Sequence, residues 1–254
     1  MRCRPWVLPG RPLRCPGRDL PCRAGRSGAD PGGRPLSRCC DVLRLYLVTD
    51  RELAGGRPLA EVVERAVRGG ATAVQLREKA LGAGRFLAEV AELKRSLAGT
   101  GVPLFVNDRV DVALAAGADG VHVGQDDLPA AEARRLVGPG VLLGVSVATP
   151  EEARRALADG ADYVSVSPVF LTPTKPDAEV AVGLEGVARI RKALPDAAVL
   201  AIGGIDARNA RAVVAAGADG VAVVSAIMSS PDPQAAAAAI RDEVEAGLEL
   251  RRSP

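Results

Sequence analysis

Residues 113–124, which read ALAAGADGVHVG, decide the fold of this chain. Near copies occupy residues 156–167 (ALADGADYVSVS) and 213–224 (VVAAGADGVAVV), and a weaker one, AVRGGATAVQLR, occupies residues 66–77. In each copy an apolar helical stretch ends at a glycine suited to the left-handed C-terminal position, and an apolar strand follows within about three residues. The copies therefore predict one helix-to-strand junction used several times. Their uneven spacing argues against a solenoid.

Outward from these junctions, short apolar runs alternate with longer amphipathic ones, which is typical of βα units around a parallel sheet. The predicted strands are 43–49, 72–77, 103–107, 120–123, 141–145, 162–167, 199–202 and 220–224. The predicted helices are 59–68, 86–97, 110–116, 129–136, 151–158, 184–193, 207–216 and 233–248. Thr149 or Pro150 and Asp206 are expected to begin two of these helices.

Eight such units predict an α/β protein with one (β/α)₈ TIM-barrel domain over residues 41–254. A doubly wound open sheet is the alternative. It is disfavoured because no GxGxxG motif follows the first strand.

The first forty residues differ from the rest of the chain. They hold nine Arg, two acidic residues, all five Cys and thirteen Pro or Gly, and they show no hydrophobic periodicity. We expect residues 1–40 to be a disordered extension without function, such as an over-extended start. A transit peptide is the alternative, which the abundant Pro disfavours.

The remaining chain carries more acidic than basic side chains, which argues against nucleic-acid binding by the barrel. It has no apolar run long enough to span a bilayer, so no membrane association is expected. It also lacks cysteine, so disulfides cannot stabilise it. We expect a soluble cytoplasmic enzyme acting on small molecules, and the sequence leaves open whether it forms a homo-oligomer.

Polar side chains follow several predicted strands, where barrel enzymes place their active sites. After the second strand comes QLREK, residues 75–79, in which Gln75, Arg77 and Lys79 share one face of an extended chain. Two cations and an amide on one face favour a polyanionic substrate over a solvated run of charges.

Acidic residues follow the next two strands. Asn107 and Asp108 come after the third strand, and Asp126 and Asp127 come after the fourth. Carboxylates at neighbouring strand ends can bind one hard cation, and Mg²⁺ typically uses one or two of them together with phosphate oxygens and water. Helix capping by these acids is the alternative for each one alone.

The later strands end in hydroxyls and glycines. Ser146 follows the fifth strand. The sixth strand is followed by a loop that holds Thr172, Thr174 and Lys175 between prolines. This loop could close over a ligand. Gly203-Gly204 and Val224-Ser225 end the last two strands, the usual place of the phosphate site in such barrels. The only histidine, His122, is interpreted as structural.

The set QLREK, VND, GVHVGQDD, GVS, TPTK, Ala201-Ile202-Gly203-Gly204 and Val224-Ser225-Ala226-Ile227, spread over residues 43–230, resembles the thiamine phosphate synthase family in order and spacing. The resemblance implies a Mg²⁺-dependent transferase of thiamine biosynthesis. In that reaction 4-amino-5-hydroxymethyl-2-methylpyrimidine diphosphate ionises to a carbocation that the nitrogen of a thiazole phosphate, or of its carboxylated form, captures. The products are thiamine phosphate and diphosphate.

The resemblance also assigns residue roles. It implies that Asp108 and Asp127 are the Mg²⁺ ligands, and that Arg77, Lys79, Ser146 and Lys175 are catalytic. The implied contacts of the pyrimidine diphosphate are Gln75, Leu76, Arg77, Glu78, Lys79, Asn107, Ser146 and Lys175. The implied contacts of the thiazole phosphate are Thr172, Pro173, Thr174, Gly204, Val224 and Ser225.

Two departures from the family pattern stand out: no His follows GVS, and Ser167 precedes Pro168 where Gly is frequent. Two other functions are weighed against the synthase. A thiazole tautomerase-like isomerase would have lost the metal and diphosphate residues that are present here. A non-catalytic phosphate-ligand sensor would not need the complete set.

Overall fold

The computed structural model describes residues 41–172 and 180–252. Its eight parallel strands form a closed barrel in the order β1 to β8, each paired with its sequence neighbours and β1 paired with β8. The strands are β1 Leu45–Val48, β2 Ala73–Leu76, β3 Leu104–Asn107, β4 Gly120–Val123, β5 Leu142–Val147, β6 Tyr163–Val166, β7 Val199–Ile202 and β8 Gly220–Val223. The predicted (β/α)₈ TIM barrel is confirmed.

Helices lie between the strands and after the last one. They are α1 Leu59–Arg68, α2 Ala83–Ser96, α3 Val110–Ala116, α4 Ala130–Val137, α5 Pro150–Ala158, α6 Gly183–Ala193, α7 Ala210–Ala215, α8 Ser225–Met228 and α9 Pro233–Arg252. The expectation of disorder for residues 1–40 lies outside the described residues.

The two expected helix starts have different outcomes. Thr149 caps α5 in a reciprocal capping box with Glu152, as predicted. The expectation for Asp206 was wrong, because Asn209 is the N-cap of α7. The Asp206 carboxylate instead accepts hydrogen bonds from the backbone N–H and the guanidinium of Arg208, which holds residues 206–208 in a turn before the helix.

Two apolar layers hold the barrel together. Outward-facing strand residues such as Leu47 and Leu76 pack against the helices. Inward-facing residues form a smaller cluster around Tyr46, Phe105 and Tyr163, whose ring centroids lie 5.1–6.3 Å apart. This aromatic layer fills the lower barrel, beneath the C-terminal ends of the strands.

The four sequence copies contain β2, β4, β6 and β8, so the junction recurs at every second strand. Its glycines have positive φ, for example Gly117 at 60°. In three copies the following Asp accepts a hydrogen bond from a neighbouring strand: Asp119 from Leu104, Asp162 from Leu143 and Asp219 from Val199. The aspartates thus join even strands to the odd strands beside them.

Basic side chains of helices α2, α4 and α6 cover these junctions. Lys94 of α2 donates to the Ala116 and Gly117 carbonyls. Arg134 of α4 and Arg191 of α6 each bind the glycine carbonyl of the next junction and its aspartate.

No helix in the described part of the chain is both long and apolar enough to cross a bilayer.

Candidate active site

A cavity of about 530 Å³ opens at the C-terminal ends of the strands. Every strand contributes at least one lining residue, among them Gln75 of β2, Asn107 of β3 and Leu200 of β7. This is the end at which (β/α)₈ barrels carry their active sites. Of the predicted site residues, the following line this one cavity: Gln75, Arg77, Lys79, Asn107, Asp108, Asp127, Ser146, Thr172, Gly204, Val224 and Ser225.

The end of β2 presents its side chains alternately, as the sequence predicts. Gln75, Arg77 and Lys79 line the cavity. The backbone N–H of Arg77 donates to the Thr49 hydroxyl at 3.1 Å, and its guanidinium lies 3.9 Å from the Asp50 carboxylate. Two cations therefore stand at one side of the opening, where they can neutralise an anionic ligand.

Two predicted substrate contacts do not face the cavity. Leu76 is fully buried in the layer between the strands and the helices, and the Glu78 carboxylate pairs with Arg51 on the other side of the strand end. Their side chains point away from the cavity because successive side chains of an extended chain point in opposite directions. Contact of these two residues with the substrate stays a prediction.

Asp108 and Asp127 lie next to each other across the ends of β3 and β4. Asp108 is held at φ 59°, and its backbone N–H donates to the His122 carbonyl at 2.8 Å. The Asp127 carboxylate accepts from the Gly124 N–H at 2.7 Å. Burial raises the pKa of the Asp108 carboxyl to about 6, and contact with the Asp127 carboxylate adds to the rise, although the Lys79 ammonium opposes it.

This pair fits a hard cation. Two carboxylates in contact repel each other when both are ionised, and a divalent ion between them removes the repulsion. Among the described residues no group of three or more His, Cys, Asp or Glu has metal-binding geometry. Two carboxylates would suit Mg²⁺, with water and phosphate oxygens in its other positions.

A chain of buried polar side chains forms the floor of the cavity. Gln75 Nε2 donates to the Tyr46 hydroxyl at 3.1 Å, and the Tyr163 hydroxyl donates to Tyr46 at 3.2 Å. The His122 Nδ1 atom lies 3.1 Å from the Tyr163 hydroxyl, and its Nε2 atom lies 2.9 Å from the Ser146 hydroxyl. Burial raises the pKa of the Tyr46 phenol, so this hydroxyl is uncharged at neutral pH.

Sequence reasoning missed some of these residues. His122 lines the cavity, whereas the sequence predicts a structural role for it. The hydrogen bonds of its ring are compatible with a structural role and with a role in the site. Ser165 and Ser167 also line the cavity. The alternation of residues 163–167, YVSVS, is the signal that could have placed the Ser165 hydroxyl on the inner face of β6 and the Ser167 hydroxyl directly after it on the same side.

The opposite wall is built from the ends of β7 and β8. Gly203 and Gly204 have φ of 109° and 62°. A β-carbon on Gly203 would lie 2.7 Å from Pro168 Cβ, and one on Gly204 would lie 2.8 Å from Phe170 Cβ. Only glycine fits this close approach of two loops, which brings the backbone of Gly204 to the cavity beside Val224 and Ser225.

Three predicted contacts, Pro173, Thr174 and Lys175, lie outside the described residues. The described loop ends at Thr172, which lines the cavity on one side of this gap, and Val180 lines it on the other.

Comparison with known proteins gives one family. The family model for thiamine monophosphate synthase matches residues 45–227. Thiamine-phosphate synthase of Albidiferax ferrireducens is 53% identical over 205 residues, covering 81% of this chain and 93% of the relative. Thiamine-phosphate synthase of Roseiflexus castenholzii is 54% identical over 198 residues, covering 78% of this chain and 86% of the relative.

Solved structures agree with these matches. Thiamine phosphate pyrophosphorylase from Pyrococcus furiosus superposes with a TM-score of 0.75 at 41% identity, covering 82% of this chain and 98% of the other. A 3-hexulose-6-phosphate synthase superposes with a TM-score of 0.60 at 21% identity, covering 79% of this chain and 99% of the other. The second likeness shows the barrel fold alone.

Proposed function

Since the chain belongs to the thiamine monophosphate synthase family, we propose that it is the transferase that joins 4-amino-5-hydroxymethyl-2-methylpyrimidine diphosphate to a thiazole phosphate. The products are thiamine phosphate and diphosphate. The observation that carries the proposal is the arrangement of one cavity, with two cations and a carboxylate pair on one wall and the glycine-rich ends of β7 and β8 on the other. Two anionic groups can therefore bind at once, with space between them for two rings.

The diphosphate would bind at the wall formed by the ends of β2 to β4. Asp108 and Asp127 would hold Mg²⁺, which when bound supplies positive charge to the diphosphate oxygens. Arg77 and Lys79 add two further charges from the protein. Lys175 belongs to the same proposal on the ground of the family motif.

The thiazole phosphate would bind at the wall formed by the loop after β6 and the ends of β7 and β8. Gly204 brings backbone to the cavity without a side chain, and Val224 and Ser225 stand next to it. Barrel enzymes commonly bind phosphate with the loops after these two strands. Thr172 adds a hydroxyl at the cavity, and Pro173 and Thr174 are proposed from the motif alone.

The proposed reaction follows from the positions of the cationic residues in the cavity. The bond between the pyrimidine methylene carbon and the diphosphate oxygen breaks, and the diphosphate keeps the electron pair. Arg77 and Lys79 stabilise this leaving group, so the protein needs no nucleophile. The thiazole nitrogen then gives its lone pair to the methylene carbocation, and no proton is transferred. Gln75, Asn107 and Ser146 would bind and orient the pyrimidine ring between the two walls.

Water must be kept from the carbocation, because it would capture the cation as an alcohol. The aromatic rings of Tyr46, Phe105 and Tyr163 fill the barrel beneath the cavity. In the described part of the chain they leave water the open side, where the second substrate would bind.

The test is an assay of the purified full chain with both substrates and Mg²⁺, measuring thiamine phosphate and diphosphate in equal amounts. Omission of Mg²⁺ in the presence of a chelator is the control. Isomerisation of the thiazole without condensation would indicate a tautomerase instead. Binding of both phosphates without any chemical change would indicate a sensor.

A further inference from the structure

We propose that Tyr163 is a positioning residue, whose hydroxyl orients both Gln75 and Ser146 toward the pyrimidine ring. This inference rests on the proposed function, because it concerns how the same cavity recognises that ring. Tyr163 is fully buried and is not among the residues that line the cavity. Any effect of its hydroxyl on a substrate must therefore pass through its neighbours.

The hydroxyl of Tyr163 is the centre of the polar chain on the cavity floor. On one side it reaches Ser146 through His122, with contacts of 3.1 and 2.9 Å. On the other side it reaches Gln75 through Tyr46, with contacts of 3.2 and 3.1 Å. This polar chain of side chains connects five strands. Its two ends, Gln75 and Ser146, line the cavity.

The backbone register explains how His122 and Tyr163 meet although β5 separates their strands. Gly144 of β5 is paired with His122 on one side and with Tyr163 on the other. A β-carbon on Gly144 would lie 2.3 Å from the Tyr163 hydroxyl and 2.5 Å from His122 Nδ1. The missing side chain at Gly144 is what allows the two polar groups to touch across the strand.

The hydrogen bonds of this polar chain can also run in one direction, from donor to acceptor. If the Tyr163 hydroxyl donates its one hydrogen to Tyr46, it accepts the Nδ1 hydrogen of His122. The Nε2 atom of that tautomer has a lone pair and accepts the hydrogen of the Ser146 hydroxyl. Ser146 is then left with lone pairs for the cavity, and an acceptor there suits a ring with an exocyclic amino group, as in an aminopyrimidine.

The test is Tyr163→Phe, which keeps the ring and its packing and removes only the hydroxyl. We expect KM for the pyrimidine diphosphate to rise about tenfold, as for the loss of one buried hydrogen bond. KM for the thiazole phosphate should change less than about twofold. A rise in both constants, or in neither, would overturn the proposal.

Thr72→Val is the matched control. The Thr72 hydroxyl is a hydrogen-bonded, partly buried hydroxyl at the opposite end of the barrel, where it contacts the backbone of Leu45 and Val42. This variant should lower the melting temperature and leave both KM values unchanged. If Tyr163→Phe behaves in the same way, its hydroxyl stabilises the barrel only.

A double-mutant cycle with Ser146→Ala tests whether the effect passes along the chain. If Tyr163 acts partly through Ser146, the two losses in kcat/KM combine to less than their product. Losses that multiply would contradict that route. Tyr46→Phe interrupts the chain at the next hydroxyl and replaces Tyr163→Phe in the test if the latter does not fold.

Failure of the proposed function is distinguishable from failure of this inference. If the unmodified chain makes no thiamine phosphate, the dissociation constant of the pyrimidine diphosphate with Mg²⁺, measured by calorimetry, replaces KM. A constant about tenfold higher for Tyr163→Phe supports the positioning role. Equal constants, or no binding to the unmodified chain, overturn it.

Discussion

The carboxyl groups of Asp108 and Asp127 contact each other at the ends of two neighbouring strands, and burial together with this contact raises the pKa of Asp108 to about 6. The contact follows from the sheet, because Asn107 at the end of β3 is paired with His122 of β4. The loops that leave these strands therefore run side by side. Without a cation, Asp108 therefore keeps its proton up to about pH 6. Mg²⁺ would bind the ionised form and favour loss of this proton.

The first prediction concerns these two carboxylates. Asp108→Asn and Asp127→Asn should each lower kcat at saturating substrates by at least about a hundredfold, since each removes a charge from the proposed metal site. Asp111→Asn is the matched control, because Asp111 is an exposed carboxylate close in sequence that pairs with Arg109. Calorimetry with Mg²⁺ and diphosphate should show weaker binding in the first two variants only. Wild-type rates in both would refute the metal assignment.

The second prediction is a pH dependence. An Asp108 pKa of about 6 in the folded state, against 3.8 for a free carboxyl, means that the folded state holds more protons between about pH 4 and 6. In this window the contribution of Asp108 to the unfolding free energy of the metal-free protein falls as pH rises. Mg²⁺ needs the deprotonated pair, so its stabilising effect should grow over the same range.

This is measured as the shift in melting temperature on adding Mg²⁺, from pH 5 to pH 8. The shift should be small at pH 5 and reach its full size above pH 7. Asp108→Asn should show little shift at any pH. A shift of equal size at pH 5 and pH 8 in the unmodified chain would contradict the assignment of the raised pKa to the metal site.

The fold could be predicted from sequence because its signals are local. Helix α3 was predicted with the bounds observed, Val110–Ala116, since Gly117 ends it in the left-handed conformation. The start of α7 was not, because an Asp before a helical pattern can cap the helix or hold a turn. At Asp206 the hydrogen bonds to Arg208 decide for the turn, and nothing in the pattern distinguishes the two.

The site could be predicted where a single strand carries the information. The alternation of Gln75, Arg77 and Lys79 needs only the two-residue period of one strand. The role of His122 depends on Gly144 and Tyr163, which come from two other strands and meet it only through the barrel register. A single sequence contains no local sign of such a contact, so the lone histidine was interpreted as structural.

The third prediction concerns the approach of the two loops at Gly204. Gly204→Ala should raise KM for the thiazole phosphate about tenfold or more and leave KM for the pyrimidine diphosphate unchanged, because a methyl group would displace the loop against Phe170. Gly55→Ala is the matched control. Gly55 has the same φ of 62°, but a β-carbon there meets nothing within 4 Å.

Both variants strain the backbone by about 1 kcal/mol, so both should lower the melting temperature, and Gly204→Ala should lower it more because its methyl group meets Phe170. Only Gly204→Ala adds crowding at the cavity. If the two variants have the same KM values, the strain of the left-handed conformation accounts for the effect, and the position of this loop has no bearing on the thiazole site.

The last prediction compares two adjacent arginines of α4. The Arg134 guanidinium donates to the Gly160 and Val141 carbonyls at 3.0 and 2.8 Å and pairs with Asp162 at 2.6 Å. Asp162 in turn accepts the Leu143 N–H at 2.7 Å. One side chain therefore joins α4 to the junctions before β5 and β6. Arg135, the next residue, is largely exposed and pairs only locally with Glu132, three residues earlier.

Arg134→Ala should lower the unfolding free energy by about 2 kcal/mol, since it removes several part-buried hydrogen bonds and leaves Asp162 without the guanidinium. Arg135→Ala should change it by less than about 0.5 kcal/mol, because exposed ion pairs contribute little. Urea unfolding measures both values. Because Arg134 lies at the N-terminal end of the strands, far from the cavity, KM for both substrates should stay at the wild-type value. If Arg134→Ala loses substrate affinity without losing stability, this end of the barrel controls the site directly. The hydrogen bonds of Arg134 do not predict that result.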